Sequence, residues 1–158
     1  MKLRKILAMS IVALCAVACN DDKTASFAET VSGTYKGSMA LSVMGNSMDP
    51  MDMEVTITPE SDTSVGITLT GDPDATGGMS IKSIGLEGVG VSTADGSVYT
   101  LAKAIGGDGY TAQDSGTSVN WKFTLVEGSV TGDAASLKLV GQPGAMPMAI
   151  TMDFKGTK

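Results

Sequence analysis

Residues 146–154 read Met146-Pro147-Met148-Ala149-Ile150-Thr151-Met152-Asp153-Phe154, and every second position is large and apolar. In an extended chain successive side chains point to opposite faces, so Met146, Met148, Ile150, Met152 and Phe154 share one side. The same alternation recurs upstream. Tyr35, Met39, Leu41 and Val43 form one such run, followed by Val55 and Ile57, and by Val65, Ile67 and Leu69. Val119, Trp121, Phe123 and Leu125 form another, then Leu137 and Leu139. The period is two, not 3.6, and no amphipathic helix of useful length interrupts it.

Turn residues separate the runs: Gly45-Asn46-Ser47, Gly71-Asp72-Pro73-Asp74, Ala94-Asp95-Gly96, Gly106-Gly107-Asp108-Gly109, Gly132-Asp133 and Gly141-Gln142-Pro143-Gly144. Glycine supplies positive φ, while proline and aspartate initiate turns. The pattern predicts about eight strands, near 32–44, 51–58, 64–70, 79–92, 97–102, 118–127, 129–140 and 146–155. Gly85, Gly88 and Gly90 break the alternation between 79 and 91 and point to a bulge or bend. Short strands, short turns and nothing to cover an open edge favour an all-β fold closed as an antiparallel up-and-down barrel. A two-sheet β-sandwich is the alternative. A barrel of this size is either filled by side chains or holds one small ligand.

The N-terminus carries a different signal. Lys2, Arg4 and Lys5 precede an apolar run from Ile6 to Val17, and Ala16-Val17-Ala18-Cys19 follows. This is a secretory signal, and it resembles those of bacterial lipoproteins, in which the cysteine is acylated and becomes the first mature residue. Ala16 stands where leucine is usual; at the competing Cys15, Leu14 is too bulky for the small-residue cleavage position. The reading is a signal peptide over 1–18, a lipid attached at Cys19, a flexible tether over 19–30 and a barrel domain over 31–158, with plain secretion as the alternative. The apolar run falls short of the ~20 residues a spanning helix needs. Asn20, Asp21 and Asp22 resemble the surface-export signal of Bacteroidota lipoproteins, or are simply a solvated tether. The expected location is the bacterial outer membrane, lipid-anchored and exposed on the cell surface, with a periplasm-facing anchor as the alternative.

Processing at Cys19 would leave 140 residues, enough for one domain with its own core, and no free cysteine for a disulfide. Loss of the three basic residues takes the formal charge from −6 to −9, so a phosphate backbone is repelled and nucleic acid is not an expected partner. The partners expected are the membrane, through the anchor, and a small apolar ligand or an envelope protein.

The first strand opens with Val31-Ser32-Gly33-Thr34-Tyr35-Lys36-Gly37, and the last closes with Met152-Asp153-Phe154-Lys155-Gly156. With the signal and the meander, these stretches resemble the calycin-like β-barrel lipoproteins of Bacteroidota, small domains similar to lipocalins. Gly33-Thr34-Tyr35 falls where a lipocalin carries Gly-x-Trp, with Tyr35 in place of tryptophan and no arginine beyond Arg4 to pack over the ring. The resemblance implies the barrel and no particular chemistry.

Catalytic chemistry has little to work with. Histidine is absent, which removes the commonest general base and transition-metal ligand. The acidic residues Asp49, Asp52, Asp72, Asp74, Asp95, Asp108 and Asp133 sit mostly in turns, where solvation explains them. Asp72 with Asp74, or Asp49 with Asp52, could offer oxygens to calcium, but neither pair approaches the six to eight ligands that ion takes. Gly106-Gly107-Asp108-Gly109 lacks the Gly-Lys-Ser/Thr of a phosphate loop. The expectation is a non-enzymatic module without a cofactor.

Methionine is the exception. Met44, Met48, Met51 and Met53 fall within ten residues, and thioethers suit Cu(I). Methionine also fills irregular core volume where aromatics are few. Met51 and Met53 share parity with Val55 and Ile57, and Met146, Met148 and Met152 with Ile150 and Phe154, as core residues would. The candidate lining of the barrel is Tyr35, Trp121, Phe123, Met148, Met152 and Phe154. The leading reading is a binding or interaction module; the alternatives are a carrier of a small apolar ligand inside the barrel and a methionine-based Cu(I) site.

Overall fold

One-sided burial of alternating residues demands a sheet whose apolar face is covered, and the chain meets that demand by curling the sheet onto itself. The computed structural model describes residues 25–71, 80–112, 118–143 and 148–158. They form the helix α1 (Phe27–Val31) and ten strands: β1 (Gly33–Val43), β2 (Asn46–Ser47), β3 (Met51–Ser61), β4 (Ser64–Gly71), β5 (Ser80–Thr93), β6 (Tyr99–Leu101), β7 (Ala104–Ala112), β8 (Ser118–Thr131), β9 (Ala134–Pro143) and β10 (Ile150–Thr157).

Each long strand pairs antiparallel with its neighbour, and β10 returns to pair with β1, so the long strands form a closed ring. Met39 of β1 lies between Met51 of β3 and Phe154 of β10, which fixes the register at the seam. β6 and β7 together fill the single place between β5 and β8. β2 is a two-residue arm folded back on the end of β1. The result is an eight-stave antiparallel barrel with two extra strands, and its closure excludes the sandwich.

Several strand boundaries differ from the sequence pattern: Asn46-Ser47 of an expected turn form β2, Gly141-Gln142-Pro143 of another end β9, and β10 begins at Ile150 with Met148 and Ala149 outside it; two further differences come from glycine. The expected turn at residues 106–109 is part of β7, whose pairing with β8 slips between Ile105 and Asp108. A glycine-rich strand with a bulge looks like a turn when only composition is read. The break expected between strands at residue 128 is absent, and the β8–β9 turn is Gly132-Asp133. Gly128 instead sits buried in mid-strand, where a Cβ would come 2.8 Å from the Cβ of Leu101.

The bulge expected near Gly88 is present. Pairing between β4 and β5 slips between Val65 and Ile67, and Gly88 has φ 66° with its N–H donating to Glu60 Oε2 at 2.8 Å.

At the β1–β2 turn Met44 and Gly45 have φ 50° and 83°, the double positive φ of a type I′ hairpin. Methionine is a poor residue for that conformation and asparagine a good one. Met44→Asn is therefore expected to stabilise the domain by about 0.5–1 kcal/mol, read as a higher urea midpoint at unchanged slope. A lower midpoint would show that the turn is not so strained.

Residues 27–30, expected as part of the flexible tether, belong to α1. Ser26 and Glu29 form a reciprocal capping box, and Ala28 and Val31 are buried against the barrel. A period-two reading has no means of finding a five-residue helix.

Candidate functional site

The inward positions are apolar on every stave. Tyr35, Met39 and Leu41 of β1, Met53, Val55 and Ile57 of β3, Leu125 of β8, Leu137 and Leu139 of β9, and Ile150, Met152 and Phe154 of β10 join one buried cluster with residues of β4, β5 and β6. Glycines on the same faces make room for the largest members. A Cβ on Gly141 would come 2.7 Å from the Phe123 ring and 2.8 Å from the Met152 methyl, so those side chains occupy the space a larger residue would need. Of the expected lining residues, Tyr35, Phe123, Met152 and Phe154 are thus core, while Met148 is 39 % exposed before β10 begins. The Trp121 side chain lies outside the described residues, as does Met146.

α1 lies at the end of the barrel where β1 begins. The Tyr35 hydroxyl donates to the Val31 carbonyl at 2.7 Å, which ties α1 to the wall. Lys158 Nζ stands 5.2 Å from the centre of the Tyr35 ring, so a lysine from the C-terminus supplies a cation over this residue. Burial, with the charge of Asp133 adding to it, raises the Tyr35 pKa above its usual value near 10. The folded state holds the phenolic proton more tightly than the unfolded chain. The resulting stabilisation is complete below about pH 10 and is lost as pH rises through the folded value. Tyr35→Phe is expected to cost about 1 kcal/mol at pH 7 through the lost hydrogen bond and to flatten the stability profile above pH 10. An alkaline profile unchanged by the substitution would remove Tyr35 as its cause.

The methionine set divides. Met44 is 79 % exposed in the hairpin turn and Met48 is 42 % exposed beside it, with its N–H on the Leu41 carbonyl. Met51 is half-buried, and Met53 is in the core among the inward residues of β3. The exposed members stand at the barrel end opposite α1, where β1 ends and β10 begins. Among the described residues no group of three or more His, Cys, Asp or Glu side chains is placed to hold a metal ion. Asp49 and Asp52 are exposed, while Asp72 and Asp74 lie outside the described residues. Cys19 and the Asn20-Asp21-Asp22 segment also lie outside them.

A broad concavity lies on the outside of the wall. A groove of ≈ 1030 Å³ runs from β8 and β9 across β10 and β1 to β3 and β4. Its side chains include the outward-facing Lys36, Ser38, Glu54, Ser136 and Lys155, with Lys36 Nζ 3.8 Å from Glu54 Oε2. That pair is solvent-exposed and contributes little to stability. The floor includes Gly37 and Gly156, which face each other across β1 and β10. A Cβ on Gly37 would strike the Lys155 carbonyl oxygen, and one on Gly156 would come 2.9 Å from the Lys36 carbonyl oxygen. Two glycines therefore let the seam strands pinch together, and the groove lies over the pinch. The chemistry it offers is hydroxyl-rich and of mixed charge. A sequence signal for it existed: Gly37 and Gly156 occupy inward parity positions in otherwise apolar runs.

A family model for the calycin-like β-barrel domain matches residues 31–157. Among solved structures, the chain is similar to a Bacteroides fragilis NCTC 9343 protein assigned provisionally to the outer membrane, at 26 % identity and a TM-score of 0.65. The likeness covers 85 % of this chain and 53 % of that one, so this chain spans about half the length of its structural relative. A redesigned β-barrel matches 85 % of this chain and 98 % of its own at 11 % identity, with a TM-score of 0.39 too low to carry an argument. No curated protein matches the sequence. The family match extends from the last residue of α1 to the end of β10, over every stave of the closed sheet, and the chain belongs to the calycin-like β-barrel domain family.

Proposed function

We propose that this protein is a lipid-anchored module of the bacterial outer membrane that binds a polar partner, such as an envelope protein, through its outer wall, without catalysis. One observation carries the reading: the inward faces of the staves join in a packed apolar core, while a groove of ≈ 1030 Å³ opens on the outside. The packed core counts against an apolar ligand carried within. The absence of histidine supports a non-enzymatic role, because no imidazole is present to act as general base near neutral pH. The anchor rests on the Ala16-Val17-Ala18-Cys19 sequence, and the envelope location gains support from the Bacteroides fragilis relative. Asn20, Asp21 and Asp22 favour the cell surface over a periplasm-facing anchor.

Two measurements test this. Metabolic labelling with a palmitate analogue should mark the full chain and fail on Cys19→Ser, which should leave the membrane fraction. A photo-crosslinking residue at Ser38 or Ser136 in intact cells should give a discrete adduct, and one at Ser92, exposed on β5, should not. Equal adducts at all three positions, or saturable uptake of an apolar dye by the barrel, would refute groove binding.

A further inference from the structure

We infer that the α1-capped end of the barrel rests on the lipid bilayer, with Phe27 and Val98 as the contact, and that the methionine-bearing end faces away; this rests on acylation of Cys19. The starting point is an exposed apolar pair at one end. Phe27, the first residue of α1, is 41 % exposed, and Val98, in the β5–β6 connection, is 44 % exposed. The Phe27 ring packs edge-on against Tyr99, the residue that follows Val98, at 6.1 Å between centroids, so both belong to the same end of the barrel. The connections at this end are Asp62-Thr63, residues 94–98 and Gly132-Asp133, together with α1 and the C-terminal Lys158.

The length of chain between this end and the anchor identifies what covers the pair. From Cys19 to Ser26 there are seven residue steps, which span at most about 25 Å when fully extended. The departure point is held in place. Ser26 caps α1, the Ala28 N–H donates to the Asp62 carbonyl, and the Tyr35 hydroxyl ties Val31 to β1. A β1 of 11 residues, inclined as barrel strands are, gives a wall roughly 27 Å tall. The tether is thus no longer than the barrel is high. It would have to run fully extended along the wall to bring Met44 and Met48 to the membrane, whereas the α1 end reaches the headgroups with slack to spare. Of the two ends, the one within easy reach carries the exposed Phe27, a residue type found on the lipid-buried face of membrane-surface segments. Asp62, Asp95 and Asp133 at the same end suit uncharged headgroups better than anionic ones.

Site-directed spin labelling of the full acylated chain in phosphatidylcholine vesicles decides the matter. Processing leaves no free cysteine once Cys19 is acylated, so Phe27→Cys, Val98→Cys and Met48→Cys can each carry one nitroxide. The ratio of oxygen to aqueous nickel-chelate accessibility is expected to be several-fold higher at 27 and 98 than at 48. Should Phe27→Cys loosen α1 by losing the Tyr99 contact, Val98→Cys, in a surface connection, reads the same end. Similar ratios at 98 and 48, or lipid contact at 48, overturn the inference. An acylated chain with aqueous signals at 27 and 98 overturns this inference alone. A chain that is not acylated overturns the anchor reading as well.

Discussion

Gly37→Ala is expected to cost more than about 3 kcal/mol, a large share of the 5–15 kcal/mol by which domains of this size are stable. The added Cβ would meet the Lys155 carbonyl oxygen and lie 2.5 Å from Gly156 Cα, and both are backbone. A side chain could rotate away; two hydrogen-bonded strands cannot part without breaking the β1–β10 pairing that closes the barrel. Overpacking of a mobile neighbour costs about 1–3 kcal/mol, and a rigid one costs more. In a domain of this length the melting temperature should fall by roughly 10 °C. The measurement is urea unfolding of the soluble Cys19→Ser form with and without the substitution. A loss below about 1 kcal/mol would mean that the seam strands are not pinched, and the groove above them would lose its explanation.

Phe154→Ala should cost a comparable 3–5 kcal/mol, by cavity formation rather than by crowding. The ring is fully buried, between Met39 of β1 and Leu137 of β9 in the pairing register. It also fills the space beside Gly156, where a Cβ would lie 2.5 Å from Phe154 Cζ. The two seam glycines therefore fail in different ways, and the difference is measurable. Phe154→Leu should relieve part of the cost of Gly156→Ala, since one clash there is with a side chain. It should relieve none of the cost of Gly37→Ala, whose close contacts are backbone. Additive losses in both double variants would place the ring elsewhere.

Much of the wall was legible because burial on one face imposes a period of two. Val55 and Ile57, Leu137 and Leu139, and Ile150, Met152 and Phe154 all lie inward as the alternation requires. Two of the misses share one cause. Gly128 and the Gly106–Gly109 run look like turns by composition, yet both are inside strands, because a barrel uses glycine where a neighbouring side chain or a bulge claims the space of a Cβ. α1 was missed because five residues are too few to show a helical period, although Ser26 and Glu29 have capping-box spacing. The groove was not read from the sequence: Gly37 and Gly156 hold inward parity positions, but nothing in the chain says that they face each other.

By itself the sequence determined the secondary structure class, the buried face of most strands and the family, since these follow from local periodicity, turn chemistry and short motifs. It also supplied Cys19, on which the proposed anchor rests. The sequence favoured a closed barrel over a sandwich, but which strands close it belongs to the tertiary structure, because pairing of β10 with β1 joins residues more than a hundred positions apart. The same pairing brings Gly37 against Gly156, pinches the seam and opens the groove. Whether a methionine packs or is exposed was decided there too. Met53 and Met152 are held in the core while Met48 and Met148 are left at the barrel end, because exposure depends on where a strand stops relative to its neighbours and not on its own alternation.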